Sequence, residues 1–383
     1  MNYCQQCVMP DTRPGTDLLE DGICTACHFS DDKKSGEIDW DKRRKSLMAI
    51  AENVRGSSAS GYDCVVPVSG GKDSIYQTHI VKEVLGLKPL CVTYQCACRT
   101  PEGEYNIQVI KNMADHVEFS PAEPFRKSVT LRALEETGDC CWLCHRLIFS
   151  YPIRVALSQK IPLVVYGENS QLEYGGTEED AARTDLDTTW LELHGMQHGK
   201  TTNDWVDGHR ITSRDANAVE PPSVGEIQTA GLRSIFLGYY LPWDSWENLE
   251  VAKKYGFKVR ADRAPEGALH NFKDIDCKFM TFHHYFKWLK FGYSRVTDHA
   301  SIDVRSGLLG RDQAVEFVRE REGEPPMEYM NEFCDYLGIT EKRFWEIADS
   351  YRNPQIWKKN SSGEWFMPDF ICAHDWGWSN ENK

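Results

Sequence analysis

Two rhythms of apolar and polar positions alternate along this chain. Short, β-branched-rich runs (YDCVVPV, PLCVTYQ, HVEFS and IPLVVYGE) read as strands. Between them the apolar residues recur at helical spacing. In WDKRRKSLMAIAENV, capped by Asp39, residues Trp40, Leu47, Ala51 and Val54 share one face. DSIYQTHIVKEVL closes at Gly86, and EYNIQVIKNMAD, FRKSVTLRALEET and CHRLIFSYPIRVALSQ continue the pattern. The alternation predicts an α/β fold, a parallel sheet wrapped by helices on both faces. RSIFLGYYL predicts one more buried strand, after GEIQTAG and its Ser223/Glu226 capping box. Asp244 and Glu247 repeat that box before WENLEVAKKY, which ends at Gly256.

The rhythm changes beyond about residue 268, where DCKFMTFHHYFKWLKF, RDQAVEFVRERE, MEYMNEFCDYL and EKRFWEIADSY all read as helices. Domain boundaries follow from these shifts. Residues 1–38 form a Cys-rich module, and 39–61 a helix with the linker RGSSASG. Residues 62–265 form the α/β domain, with a polar, irregular insertion or lid at about 176–225. Residues 266–383 form a C-terminal helical region. No apolar run approaches the ~20 residues of a membrane span, and MNYCQQCVMP does not read as a signal peptide. A net charge of -14 disfavours nucleic acid as a partner. Seven of the fourteen cysteines fall in or beside CxxC pairs, which without an export signal suggests metal ligation in a reducing cytoplasm.

Candidate chemistry concentrates in one turn. Ser69-Gly70-Gly71-Lys72-Asp73-Ser74 follows a strand and opens a helix. Its glycines admit close backbone approach, the helix-start N–H groups carry partial positive charge, and Lys72 adds a full one. The set suits the pyrophosphate of a nucleotide. Asp73 would repel bare phosphate and makes sense as a Mg²⁺ ligand. The spacing is not that of the GxxxxGK[ST] loop.

The turn resembles the S-G-G-x-D-S loop of the PP-loop ATP pyrophosphatases, the superfamily of GMP synthetase, asparagine synthetase and the tRNA thiolases. The implied fold is the PP-loop, adenine nucleotide α-hydrolase-like sheet. The implied cofactors are ATP and Mg²⁺, and the implied chemistry is cleavage between the α- and β-phosphates. Further stretches, IPLVVYGENSQLEYGG (161–176), GLRSIFLGYYLPWD (231–244), HHYFKWLKFGYSRVTDHASIDVRSG (283–307) and RFWEIADSYRNPQIW (343–357), with YCQQCVMPDTRPG, narrow the resemblance. Together they look like the N-acetyl sugar amidotransferase family of surface-polysaccharide biosynthesis. The substrate so implied is an acetamido nucleotide-sugar or nonulosonic acid. The implied partners are a glutaminase and a channel subunit similar to those of histidine biosynthesis.

Cys4-x2-Cys7 and Cys24-x2-Cys27 have the spacing of a zinc-ribbon site, four thiolates around a structural Zn²⁺. Gly167-Glu168-Asn169 ends a predicted strand, where open α/β sheets bind ligands. There Glu168 could take Mg²⁺ or orient ammonia and Asn169 could contact nucleotide or substrate; a capped loop is the plainer account. His283, His284, Lys287, Arg295 and Asp298 form either a binding cluster for a sugar carboxylate or diphosphate, or a solvated helix face. Cys141-x2-Cys144 with Cys277, or with Cys96 and Cys98, is similar to the three-cysteine [4Fe-4S] site of certain thiolases. A second structural zinc site or buried free thiols is the plainer account of the same residues. A thiolating enzyme, acting on a tRNA or a small molecule, is therefore the alternative to an amidotransferase.

Overall fold

The computed structural model describes residues 1–185 and 198–378. Five parallel strands form one sheet: β1 (Cys64–Pro67), β2 (Pro89–Tyr94), β3 (Asp115–Phe119), β4 (Leu163–Tyr166) and β5 (Arg233–Phe236). Their order is β3-β2-β1-β4-β5. The α/β class and the wrapping helices are those the sequence predicts. Strand alternation divides the core in two. Cys64 and Val66 of β1 and Leu163 and Val165 of β4 pack on one face with Leu47, Ala51 and Ile75. Val65, Val164 and Tyr166 pack on the other with Ile153 and Ala156. Burial on both faces is what a parallel sheet requires of its strands.

The chain lays down β1, β2 and β3 in one direction, then returns to add β4 and β5 on the other side of β1. The carboxyl ends of β1 and β4 therefore flank the point where strand order reverses, the usual ligand crevice of open α/β sheets.

Several elements depart from expectation. The apolar run 233–241 does not stay in the sheet: β5 stops at Phe236 and Leu237–Tyr240 turns helical. Gly238 donates its N–H to the Gly167 carbonyl at 2.9 Å, so the chain folds over the loop that follows β4. The helix Pro101–Met113 starts earlier than its apolar pattern, because Thr100 caps it and Pro101 occupies its first turn. Of the two predicted capping boxes, Ser223/Glu226 forms completely, whereas Asp244 caps Ser245–Lys254 by accepting from Trp246 and Glu247 N–H alone.

The C-terminal region contains the helices Met280–Phe291, Arg295–Arg305, Arg311–Arg321, Met330–Leu337 and Glu341–Ser350. It is not wholly helical, since Lys358–Lys359 and Trp365–Phe366 pair antiparallel. Phe282, Phe286, Phe333 and Phe344 fill its core. Trp376 and Trp378 pack back onto Phe370, within the same cluster. The N-terminal cysteine module packs here too. Arg311 Nε donates to the carbonyls of Cys4 and Cys7 at 3.3 and 3.1 Å, and Arg13 pairs with Asp298 at 2.7 Å. Within the predicted insertion, residues 186–197 lie outside the described residues; its flanks hold short helices at Glu178–Ala181, Thr202–Trp205 and Ser213–Val219. No helix among the described residues is long and apolar enough to cross a membrane.

Candidate active site and metal centres

The SGGKDS turn sits at the carboxyl end of β1 and is held by its own serines. The Ser74 hydroxyl accepts from Ser69 N–H at 2.9 Å, and the Ser69 hydroxyl from Gly71 N–H at 3.2 Å. Gly70 has φ +94, and a Cβ there would stand 3.1 Å from Ile107 Cγ1 and 3.2 Å from the Gly103 carbonyl. Gly70→Ala is accordingly expected to destabilise the fold by ~1–3 kcal/mol, read as a lower denaturant midpoint.

Lys72 is 4% exposed, and its Nζ lies 2.6 Å from Asp73 Oδ2. Asn248 Nδ2 donates to the other Asp73 oxygen at 2.8 Å. Burial acts to raise the Asp73 pKa, but the Lys72 charge and the hydrogen bonds from Lys72 and Asn248 outweigh it and hold it below the usual range. Asp73 therefore keeps its negative charge. A second lysine, Lys273, reaches the same place from the segment that precedes the C-terminal helices. Its ammonium and that of Lys72 lie 5.9 and 6.0 Å from the Phe272 ring, and burial, with the repulsion of Lys72 and Arg295, lowers Lys273 to about 8.

One cavity of about 690 Å³ collects these groups. Ser69, Gly71, Lys72, Asp73 and Ser74 line it from β1, and Glu168 from β4. Lys273, Asp274 and Asp276 line it from the segment before the C-terminal helices. Its size lies within the range of small-molecule sites. Glu168 stands open to the cavity and makes no hydrogen bond to another described residue. Partial desolvation in the cleft, with Asp73 and Glu173 nearby, pushes it up to about 7. Gly167 leaves room for Trp243, which a Cβ would approach to 3.0 Å.

Among solved structures, the chain is similar to NMN synthetase from Francisella tularensis, at 15% identity over 57% of this chain and 93% of that one, with a TM-score of 0.28. Residues 266–369 match the family model described as LPS biosynthesis protein WbpG-like, C-terminal domain. No curated protein matches the chain. The matched segment contains Lys273, Asp274 and Asp276, so it supplies one wall of the cavity.

Asn169 is not in that wall. It is fully buried, its carbonyl oxygen accepts from Gln171 N–H at 3.0 Å, and its amide donates to the Ala181 and Arg183 carbonyls. It caps the turn Ser170–Tyr174 and anchors the loop, which corrects its expected contact with ligand. The predicted cluster at 283–298 also divides. Only Arg295 lines the cavity, and it is bound to Asp274 through Nε at 2.7 Å. Lys287 pairs with Asp298, which also takes Arg13; His284 lies 3.8 Å from Asp274; and His283 bonds Asp139 at 2.9 Å. Lys287, His283 and His284 are largely enclosed, so the solvated helix face is excluded as well.

The four N-terminal thiols converge. All are fully buried and lie within 4.8 Å of one another, with Cys4–Cys27 at 3.9 Å and Cys7–Cys24 at 3.7 Å. Tetrahedral Zn²⁺ with ~2.3 Å bonds needs sulfur separations of ~3.8 Å, so the set fits. Backbone N–H groups of Cys7 and Cys24 point at Cys4 Sγ, and that of Met9 at Cys7 Sγ. Arg305 approaches Cys7 Sγ at 3.9 Å, offsetting the thiolate charge. Cys141, Cys144 and Cys277 also line the cavity, with Cys96 and Cys140, but they do not gather as tightly. Cys96 Sγ donates to the Asp276 carbonyl at 3.8 Å, and its proximity to Cys277 lowers the pKa of Cys277, whereas Cys141 faces Asp139 and His283.

Proposed function

We infer that this protein is an ATP-dependent amidotransferase acting on an acetamido sugar for surface-polysaccharide assembly. The observation that carries the reading is the convergence of the SGGKDS turn, Lys273 and the free Glu168 carboxylate on one cavity. The match of residues 266–369 to a lipopolysaccharide-biosynthesis model supports the sugar side of it.

An amide oxygen cannot leave as hydroxide, so it must first be made part of a better leaving group. The acetamido oxygen attacks the α-phosphorus of ATP, an O–P bond forms, and pyrophosphate departs with its electron pair. The glycine turn, Lys72 and Lys273 stabilise the charge that collects on that pyrophosphate. Asp73, which stays ionised, would hold the magnesium ion that screens the phosphate charge. Ammonia then adds to the imidate carbon, the C–O bond breaks, and AMP leaves, so that NH replaces O. Glu168, half-protonated near neutral pH, receives the proton shed by the incoming nitrogen. A glutaminase and a channel subunit are the proposed suppliers of ammonia, and the four-thiol module is proposed to hold zinc.

Incubation with ATP, Mg²⁺, ammonium and acetamido nucleotide-sugars is expected to yield AMP, pyrophosphate and a product with one oxygen exchanged for NH, read by mass spectrometry. Absence of AMP with every acceptor would reject the assignment. A second reading has its own support: Cys96, Cys144 and Cys277 line the same cavity as the nucleotide turn, where an iron–sulfur group would supply sulfide to the carbon bearing the adenylated oxygen, with AMP leaving. Oxygen replaced by sulfur, with a brown anaerobic preparation, would favour that reading.

A further inference from the structure

Asp139 is buried, 1% exposed, where helix Glu123–Thr137 gives way to helix Trp142–Gln159. Among the described residues no lysine or arginine pairs with it; its ion-pair partners are three histidines. His283 Nδ1 lies 2.9 Å from Oδ1, and His198 Nε2 and His145 Nδ1 lie 3.2 and 3.7 Å from Oδ2. The last distance is too long for a hydrogen bond, and His145 Nδ1 is buried without a partner. Donor atoms of Asp139, Cys141 and His283 all lie within 4.8 Å of one another. Cys141 is the N-cap of the helix, and His145 N–H bonds its carbonyl at 2.9 Å, so the two are one turn apart on one face.

Asp139 Oδ1 also accepts from Cys141 N–H at 2.8 Å, and Lys290 lies within electrostatic reach; among the described residues no lysine or arginine touches the carboxylate, and a divalent cation would supply a balancing charge in direct contact. One sulfur, one oxygen and one ring nitrogen converge, and His145 Nδ1, outside that tight group but 3.7 Å from Asp139 Oδ2, would complete a borderline-soft set of four, the preference of zinc rather than of Mg²⁺ or Ca²⁺. We propose that Asp139, Cys141, His283 and His145 hold a second zinc ion, separate from the four-thiol module. His283 belongs to the helix Met280–Phe291, so this ion clamps the C-terminal region onto the start of the Trp142–Gln159 helix. Because Cys141 and His145 also line the cavity, the clamp fixes the wall that carries Cys140 and Cys144. All four positions are filled by protein, which makes the site structural.

The test is metal content of the full chain after growth with zinc and dialysis against a weak chelator. Two zinc per chain are expected in the wild type, with an X-ray absorption spectrum showing a mixed sulfur and nitrogen/oxygen shell. His283→Gln and Asp139→Asn should each retain one zinc, now in an all-sulfur shell, with unchanged circular dichroism. One zinc in an all-sulfur shell in the wild type would overturn the proposal, and this result does not depend on either variant folding. Two zinc retained by both variants would overturn it, as would iron with inorganic sulfide at Cys141. The outcome is independent of the sugar reaction, since no substrate enters the measurement.

Discussion

Asp73→Asn is expected to lower adenylate release by ~10²–10³-fold, an effect of the size seen when one charge-stabilising group is lost from a preorganised site. The substitution keeps the side-chain shape and removes only the charge. Asp73 is held ionised by Lys72 at 2.6 Å and by Asn248 at 2.8 Å, so the native structure spends two buried partners on preserving that charge. Without it the proposed magnesium loses its protein ligand, and Lys72 becomes an uncompensated buried cation. Lys72→Ala removes the other half of the pair and should lower the rate to a similar degree. Radiolabelled AMP release at saturating acceptor is the measurement. A wild-type rate in Asp73→Asn would show that the turn does not handle the nucleotide's phosphates.

Glu168→Gln should cost ~10²–10⁴-fold in the chemical step, the usual contribution of a positioned general base. Its signature is in the pH profile. A base works deprotonated, and partial desolvation in the cleft with the Asp73 and Glu173 charges raises Glu168 to about 7, so activity should climb as pH rises through about 7. The Lys273 ammonium, lowered to about 8 by burial and by Lys72 and Arg295, loses its proton above that value, so activity should then fall. The native profile is thus a narrow bell. Glu168→Gln should abolish the rising limb alone, and Lys273→Arg should move the falling limb upward. Burial also raises Asp276, to about 6; survival of the acid limb in Glu168→Gln would transfer the proton-accepting role there.

The readability of the sequence tracked the distance over which each feature is built. The SGGKDS turn was legible because its glycines, charges and serines are contiguous and act on one another across a few residues. So was the four-cysteine module, whose spacing alone brings its sulfurs together. Lys273 and Asp276 carried no local signal, since they join the turn only because Gly103 lets the Pro101–Met113 helix pass close to Asp276; a Cβ would lie 2.6 Å from that carbonyl. Asn169 is ambiguous in sequence, because a polar residue after a strand looks the same whether it faces ligand or caps the next turn. The Arg295–Arg305 helix is hard to read for a related reason: its apolar stripe is only Val296, Ala300 and Val304, and the rest of its buried side holds Asp298, His299, Ser301 and Asp303. Asp139 was overshadowed by the adjacent CxxC, although it is the hub of the surrounding histidines.

The cavity's two walls come from different parts of the chain, and that division has a bearing on how such a protein could change its acceptor. Most of the groups that would handle nucleotide follow β1 and β4, joined by Lys273, whereas Asp274, Asp276 and Arg295 of the 266–306 stretch are left for the acceptor. Retooling for a new sugar would therefore have to keep Lys273 while changing its neighbours. It could not be done by exchanging the C-terminal stretch by itself, because Arg13 and the Cys4 and Cys7 carbonyls are locked into it through Asp298 and Arg311. The first and last parts of this polypeptide form one heritable block, and a productive chimera would have to carry both.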